Sequence, residues 1–214
     1  MLIPDSYPAD LRAKIRKRFF GKATSPDIAI LTPINSIFEG VGRDLRRGGG
    51  WWKTYSGSFF LIVLTPQGSP VLDAISVLEP KTSITFLGLA GSLGAKKIGS
   101  VVEAEWAFVP GTTIGMHPRS FEGEFLFPKV TIASVGCLAE SMASHRTFAR
   151  KSDCVDMETG LIYAACKKQD KYVRSIQIVS DDFESNPFFR VSIKKLDGAK
   201  IHLAQIMKTY LANL

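Results

Sequence analysis

A buried strand that leads into a glycine-rich stretch is encoded by residues 83–94, Ser-Ile-Thr-Phe-Leu-Gly-Leu-Ala-Gly-Ser-Leu-Gly. Residues 83–87 carry apolar and β-branched side chains at both odd and even positions, which is typical of a strand covered on both faces of a sheet, and residues 88–94 are predicted to form a glycine-rich turn after it. Similar runs occur at 28–31, 58–64, 101–109, 130–134 and 173–179, and helical patterns occur at 34–45, 71–78, 154–168 and 200–214. This alternation predicts an α/β sandwich.

The composition excludes several classes of protein. The 214 residues are 45% hydrophobic and carry a formal net charge of +7 (27 Lys and Arg less 20 Asp and Glu), so the chain is not disordered and we expect one large domain. Three cysteines without CxxC spacing, Cys137, Cys154 and Cys166, favour neither a disulfide framework nor a zinc site. Because no apolar run spans a bilayer and no signal peptide is recognised, we expect a soluble protein of the reduced cytoplasm.

The first 27 residues are predicted to be a basic N-terminal extension of a domain that covers residues 28–214. Leu11, Ile15 and Phe19 recur at helical spacing, and six Lys and Arg residues lie between positions 12 and 22. The pattern predicts a basic amphipathic helix. One interpretation is a contact with phosphate, nucleic acid or a membrane surface, but we favour packing of the apolar stripe on the domain.

A second basic segment, residues 43–52, reads Arg-Asp-Leu-Arg-Arg-Gly-Gly-Gly-Trp-Trp. We interpret it as a glycine-rich loop, which has the means to cradle an anion and stack a base. However, its glycines do not lie between a strand and a helix, as a phosphate loop requires. We therefore favour a mobile connection in which Trp51 and Trp52 lie in the core or at a subunit interface.

Three segments hold residues that are suited to chemistry. The first consists of residues 86–94 together with 98–102, and the second of residues 154–161. The third, residues 178–182, reads Ile-Val-Ser-Asp-Asp. Each follows a strand, ends one or begins a helix, and in open α/β sheets ligands bind outside the carboxyl ends of the strands. The sequence therefore predicts that these segments meet at one site.

These segments resemble those of the nucleoside phosphorylase superfamily, which includes purine nucleoside phosphorylases and methylthioadenosine/adenosylhomocysteine nucleosidases. Gly88-Leu-Ala-Gly-Ser-Leu93 with Ile98-Gly-Ser-Val-Val102 is similar to the glycine segment of that group, Val155-Asp-Met-Glu158 to its V-(D/E)-M-E segment and Val179-Ser-Asp181 to its I-S-D segment. The resemblance covers residues 28–214. It implies a three-layer α/β/α sandwich with a central mixed sheet, a homo-oligomer and a nucleoside as the small-molecule partner. We expect no cofactor, no metal, no membrane and no nucleic acid.

The resemblance also implies roles for the residues of these segments. Asp181 would protonate or hydrogen-bond the leaving base, and Ser180 would orient that acid. Glu158 would bind the ribose hydroxyls while Met157 packs against the sugar. The backbone of Ala90 and Gly91 would pass close to the base or the sugar.

The same two carboxyl groups make sense from the chemistry alone. Cleavage of a ribosyl C–N bond builds positive charge on the sugar, and the base leaves as an anion unless an acid protonates it. Asp181 and Glu158 would divide these tasks, as two carboxyl groups do in glycoside hydrolysis. The structural alternative is that Asp153 or Asp156 caps a helix and that Met157 belongs to its buried stripe.

Two departures from the superfamily concern the nucleophile. Phe86 and Leu89 occupy the places where phosphorylases hold phosphate, and neither side chain binds an anion. The glutamate that positions water in the nucleosidases would fall near residues 35–37, about one helical turn from Glu39. The aromatic residue that stacks on the base would fall near position 137 or 138, which are Cys and Leu here.

The sequence therefore predicts cleavage of the N-glycosidic bond of a purine-type nucleoside by water. The first alternative is phosphorolysis, in which Arg43, Arg46 or Arg47 supplies a new anion site. The second alternative is a protein that binds a nucleoside or nucleotide without cleaving it.

Overall fold

The protein is built around a single mixed β-sheet. The computed structural model describes residues 3–22, 24–94, 96–118, 127–137, 146–185, 187, 190–191 and 193–214. Within these ranges the sheet contains the strands β1 (Ile28–Thr32), β2 (Arg46–Gly49), β3 (Lys53–Ser56), β4 (Phe60–Leu64), β5 (Ser83–Ser92), β6 (Val101–Phe108), β7 (Gly115–Met116), β8 (Lys129–Ser134), β9 (Cys154–Asp156) and β10 (Tyr172–Asp182). The helices are α1 (Ala9–Phe20), α2 (Asn35–Gly42), α3 (Val71–Ser76), α4 (Thr159–Lys168) and α5 (Asp197–Ala212), with a 3₁₀ turn at Ile193–Leu196.

Parallel pairing dominates the middle of the sheet. Strand β1 lies between β4 and β5, and β10 lies on the other side of β5, all four parallel. Strand β6 pairs antiparallel with β10 and parallel with β8. Strand β8 pairs parallel with β9, and β9 pairs antiparallel with the end of β5. The five strands β5, β10, β6, β8 and β9 thus form a closed ring of pairings. The central mixed sheet is confirmed.

The helices divide between two buried apolar clusters. Helices α1, α3 and α4 contribute side chains such as Phe20, Ile75 and Ile162 to one cluster. Helices α2 and α5 contribute Phe38 and Met207 to another. In the central strands, odd- and even-numbered side chains are both buried and fill the space between the sheet and the helices, as expected for strands covered on both faces. No helix among the described residues is both long and apolar enough to cross a membrane.

The structure corrects the bounds of two predicted elements near the site. Residues 88–92 were expected in a glycine-rich turn, but they continue β5, because β10 pairs with this strand up to Ser92. The predicted helix 154–168 begins only at Thr159. Before it, Cys154–Asp156 forms β9, in which Val155 pairs with residues of both β5 and β8. These sheet contacts override the helical pattern of the segment.

The basic segment at residues 43–52 is not a simple loop. Residues Arg46–Gly49 form β2, which pairs antiparallel with β3, and Trp51 and Trp52 lie in the connection. β3 in turn pairs with β4. The hairpin therefore extends the sheet beyond β4, and β2 is its last strand on that side.

Helix α1 packs against the domain, as its apolar stripe predicts. Phe20 is fully buried, and the Arg16 guanidinium donates to the carbonyl of Val77 at 2.8 Å and to Glu79 at 3.0 Å. Arg12 forms a second ion pair with Glu79 at 2.7 Å. Leu11, by contrast, is 40% exposed. The division of the chain at residue 27 stays a prediction.

We expect Phe20→Ala to lower the free energy of unfolding by about 3 kcal/mol, because it leaves a cavity in the core beneath α1. Chemical denaturation monitored by circular dichroism measures this change. Leu11→Ala, on the exposed side of the same helix, is the matched control and should cost less than about 1 kcal/mol. Equal effects of the two substitutions would contradict the packing of α1 described here.

Candidate active site

A cavity of about 350 Å³ opens where several strands end. It is lined by Pro33, Ile34, Gln67, Leu89, Gly91, Val135, Val155, Asp156, Met157, Glu158, Ser180, Asp181, Phe183, Val191 and Leu196. These residues lie at or just beyond the carboxyl ends of β1, β4, β5, β8, β9 and β10, with the 3₁₀ turn closing one side. This is the position at which open α/β sheets bind ligands.

The cavity brings together most of the residues that the sequence singled out. Met157, Glu158, Ser180, Asp181 and Gly91 all line it. Ala90 does not line it: this residue is buried, and its carbonyl oxygen lies 3.3 Å from the Ser180 hydroxyl. Residues of 86–94, 154–161 and 178–182 therefore line one cavity, whereas none of residues 98–102 does.

A β-bulge directs the Asp181 carboxylate toward the cavity wall. The register of β10 against β5 shifts between Val179 and Asp181, so that Ser180 is the extra residue. The Ser180 hydroxyl donates a hydrogen bond to the Asp181 carboxylate. Asp181 pairs with Gly91, where a Cβ would stand 3.0 Å from Oδ2 of Asp181, so glycine admits this carboxylate in its present position.

Glu158 is a buried carboxyl group that accepts a backbone hydrogen bond from Gly68. Its Oε1 accepts the N–H of Gly68 at 2.6 Å, and the residue is only 7% exposed. Burial, with a smaller contribution from the neighbouring Asp156, raises the pKa of Glu158 to about 7. Gly68 has a φ of +76°, a left-handed conformation that favours glycine.

Asp156 holds the turn that carries Met157 and Glu158. Its carboxylate accepts the Ser134 hydroxyl at 2.5 Å, the Thr159 N–H at 3.0 Å, the Glu158 N–H at 3.3 Å and the Thr159 hydroxyl. The side-chain amide of Gln177 lies 3.4 Å away. Asp153 and Asp156 were the two candidates to cap this helix, and it is Asp156 that accepts the N–H of Thr159, the first residue of α4. Burial raises its pKa, while these donors oppose that shift.

The candidate anion-binding arginines lie elsewhere. Arg43 directly follows α2 and Arg46 and Arg47 lie in β2; all three are exposed, and none lines the cavity. Glu39 is also outside the lining, because its carboxylate accepts the hydroxyl of Tyr55 at 2.7 Å. No Lys or Arg occurs among the lining residues that the structure describes.

Sequence reasoning did not identify several residues of the cavity wall. Phe183 is the aromatic side chain in the described lining, whereas Cys137 is exposed and Leu138 lies outside the described residues. Phe183 lies two residues after Asp181 in the sequence, and this proximity was the only sequence feature that pointed to it. Val135 and Gln67 also line the cavity, each just beyond the end of a strand. The turn after β1 contributes only the apolar Pro33 and Ile34.

Comparison with known proteins identifies the fold. No known protein-family profile matches the sequence. An uncharacterized protein of Acanthamoeba polyphaga mimivirus is 28% identical in an alignment 148 positions long, which covers 59% of this chain and 58% of that protein. The match therefore spans little more than half of the viral relative.

Solved nucleosidases are similar along most of the chain. The AMP nucleosidase of Bacteroides thetaiotaomicron is 15% identical with a TM-score of 0.69, covering 96% of this chain and 99% of that one. The 5′-methylthioadenosine/S-adenosyl homocysteine nucleosidase of Campylobacter jejuni is 14% identical with a TM-score of 0.68, covering 87% and 99%. A futalosine hydrolase mutant of Helicobacter pylori is 16% identical with a TM-score of 0.68, covering 89% and 100%. The chain has the fold of these nucleosidases, and the resemblance to the nucleoside phosphorylase superfamily is confirmed at the level of the fold.

Replacing Glu158 by Gln should stabilise the protein above pH 7. The pKa of Glu158 is raised from 4.5 to about 7 in the folded state. Between these two pH values the unfolded chain has lost this proton while the folded chain still holds it, so the free energy of unfolding falls as the pH rises through this window. Gln keeps an oxygen for the Gly68 N–H and removes the buried charge. We expect a gain of about 1 to 3 kcal/mol at pH 8 that disappears near pH 4, measured by denaturation across pH. The exposed Glu105→Gln is the control, and a gain independent of pH would contradict this account of Glu158.

Proposed function

We propose that the protein is a divergent nucleosidase that cleaves the N-glycosidic bond of a purine-type nucleoside with water. The observation that carries the proposal is the single cavity in which the Asp181 and Glu158 carboxyl groups occur together. The fold shared with three kinds of hydrolytic nucleosidase supports the same reaction class. Fold likeness alone does not define a substrate, so the argument for the reaction depends on these side chains.

The two carboxyl groups suit the two ends of the breaking bond. Asp181, held by the Ser180 hydroxyl and the close approach of Gly91, donates a proton to the leaving base. Glu158, in its ionised form, accepts hydrogen bonds from the ribose hydroxyls and stabilises the positive charge that develops on the sugar. Water then adds to the anomeric carbon, the proton that it loses returns through solvent to Asp181, and the products are a free sugar and a neutral base.

Water is favoured over phosphate because of the charge of the cavity wall. Its described ionisable residues are Asp156, Glu158 and Asp181, and no Lys or Arg occurs among its described lining residues. A phosphate ion would lose its hydration beside these carboxyl groups without gaining a cationic partner from that lining. The exposed Arg43, Arg46 and Arg47 do not change this balance, since none lines the cavity.

Ligand binding without catalysis is the second candidate function. The observation that favours it is the apolar turn after β1, where Pro33 and Ile34 offer no group to position a water molecule. Under this alternative the same cavity would bind a nucleoside through Glu158 and Asp181 and leave the bond intact.

Three further properties belong to the proposal. We interpret the helix sets of the two apolar clusters as the outer layers of a three-layer α/β/α sandwich. We also propose a cytoplasmic location and a homo-oligomeric state. Size-exclusion chromatography with light scattering tests the oligomeric state.

The central experiment is a screen of purine nucleosides for release of free base, with and without phosphate, by liquid chromatography. We expect release without phosphate and a free sugar as the second product. Asp181→Asn should lower turnover by at least about 100-fold, because it removes the acid that protonates the base. Ligand-dependent thermal stabilisation should persist in this variant.

Asp182→Asn is the matched control, since this neighbouring carboxylate accepts the Ser185 N–H at 2.8 Å and does not line the cavity. Its turnover should stay within about threefold of the wild type. Unchanged turnover in Asp181→Asn would remove the assigned acid, and formation of ribose 1-phosphate would show that phosphate is the nucleophile. Stabilisation by a nucleoside without base release would favour the binding protein.

The cavity also predicts discrimination against a 5′-phosphate. Among adenosine, 5′-methylthioadenosine and AMP, we expect kcat/KM for the nucleotide to be lower by at least about 100-fold, because its dianion would enter a wall of carboxyl groups. Competition assays at 50 and 300 mM salt measure this ratio, which should narrow as salt screens the repulsion. Preference for AMP would show that a cation outside the described lining serves the site.

A further inference from the structure

Two basic segments that the cavity does not use meet on one surface of the protein. They are the second half of α1 with its end, residues 14–22, and the β2–β3 hairpin, residues 46–53. The backbone N–H groups of Trp51 and Trp52 donate to the carbonyls of Arg18 and Phe19 at 3.1 and 3.0 Å. We call the surface formed by these two segments the basic tryptophan patch.

Glycines allow the hairpin to lie directly on the end of the helix. A Cβ at Gly50 would overlap the carbonyl of Phe19, and one at Gly21 would overlap the carbonyl of Gly49. Gly21 also has a φ of +73°, which ends α1 in the left-handed conformation. The glycine run therefore serves close backbone packing, which joins two segments that are far apart in the sequence.

The two tryptophans have different environments. Trp52 stacks on Phe19 with ring centroids 5.1 Å apart and packs beside Phe20, so it belongs to the junction between hairpin and helix. Trp51 is 66% exposed. The guanidinium of Arg18 lies 4.9 Å from the centroid of the Trp51 ring, close enough for a cation–π contact. An indole in this position offers an exposed stacking surface beside a cation.

The charge of the patch has a single sign. Its two segments contain no Asp or Glu and hold seven cations that form no ion pair with a carboxylate in the described part of the chain. These are Lys14, Lys17, Arg18, Lys22, Arg46, Arg47 and Lys53. Side chains alternate between the two faces of a strand, so Arg47, which lies opposite Tyr55, and Lys53 are on the α2 side of the sheet, and the patch on the α1 side holds the other five. All but the partly buried Lys22 are exposed. Arg12 and Arg16, on the same helix, are instead neutralised by Glu79.

We propose that the basic tryptophan patch binds single-stranded nucleic acid. Cations that have no carboxylate partner suit a phosphate backbone, and an exposed indole suits a base that has left its stack, which is the combination found in sequence-tolerant single-strand binding. The outer strand β2 adds the exposed backbone of Gly49 next to these cations. From the sequence, the two segments were considered one at a time, and nucleic acid was not expected as a partner. The contact between the two segments is the reason for revising that expectation.

Other partners fit the patch less well. A second copy of this chain would place five like charges against five in a twofold contact, which is repulsive. An anionic membrane would match the charge, but interfacial binding also needs several apolar side chains at one level. Of the exposed large hydrophobic residues that the structure describes, only Trp51 lies in the patch.

The test is fluorescence anisotropy of a fluorescein-labelled 20-nucleotide oligo(dT) at 50 to 300 mM salt. Trp51→Ala should weaken binding by at least about fivefold, because stacking on the indole is lost. Lys17→Ala/Arg46→Ala, which removes one cation from each segment of the patch, should reduce the slope of log affinity against log salt by about 1.4, or about 0.7 for each lost phosphate contact. Arg150→Ala/Lys151→Ala removes two adjacent exposed cations outside the patch and is the matched control for charge, with no expected change of slope.

Each other outcome overturns the proposal. If the control pair lowers the slope as much as the patch pair, binding reflects net charge alone. If Trp51→Ala binds as the wild type does, or an unlabelled duplex of equal length competes as well as the single strand, the stacking mode is wrong. If no oligonucleotide binds but vesicles containing phosphatidylserine do, the patch is a membrane surface. Trp51→Phe keeps a stacking ring and should bind better than Trp51→Ala, which separates loss of stacking from loss of folding.

Discussion

The arrangement of the cavity depends on the parallel pairing of β10 with β5. The two strands lie side by side from Tyr172 with Ser83 to Asp182 with Ser92, in the middle of the sheet. Near the carboxyl end of this pairing the bulge at Ser180 changes which face of β10 the next residue occupies. That local irregularity gives Asp181 its position opposite Gly91, and the absence of a Cβ at Gly91 leaves room for the carboxylate. Pairing and bulge together place the Asp181 carboxyl group in the cavity wall at the carboxyl end of β10.

The second carboxyl group depends on a polar network under the cavity. Asp156 binds backbone and side-chain donors of residues 134 and 158–159, and Thr159 in turn contacts Ser175 and Gln177 of β10 at 2.9 and 3.0 Å. The turn that carries Glu158 is therefore tied to the same strand that carries Asp181. A buried network of this kind fixes one geometry because each lost partner would leave an unsatisfied polar group. The raised pKa of Glu158 is the cost of placing a second carboxyl group in this environment.

The sequence was sufficient to predict the framework and the residues of the wall that come from its motifs. All six predicted strands and four predicted helices of residues 28–214 are present with shifted ends, because their apolar patterns reflect burial, which the fold preserves. Local patterns could not show that Val155 joins two strands, that glycines 88 and 91 lie within a strand, or that the hairpin at 46–56 packs on α1. These features arise from contacts between segments far apart in the chain. Phe183 and Val135 were missed for the same reason, since only the assembled sheet brings them to the cavity.

The assembled structure also changes the meaning of the net charge. From composition alone, +7 suggests an anionic partner without saying where it binds. The described ionisable groups of the cavity are carboxyl groups, whereas the patch formed by α1 and the outer hairpin holds five cations that have no carboxylate partner in the described part of the chain. An anion approaching the protein is therefore attracted to a surface that the cavity does not share, and it meets repulsion where bond cleavage is proposed. A nucleoside without a phosphate group experiences neither effect strongly, so it can enter the cavity on the strength of its apolar and hydrogen-bonding contacts. The separation of charge thus favours two different ligands for the two sites, one neutral and one polyanionic.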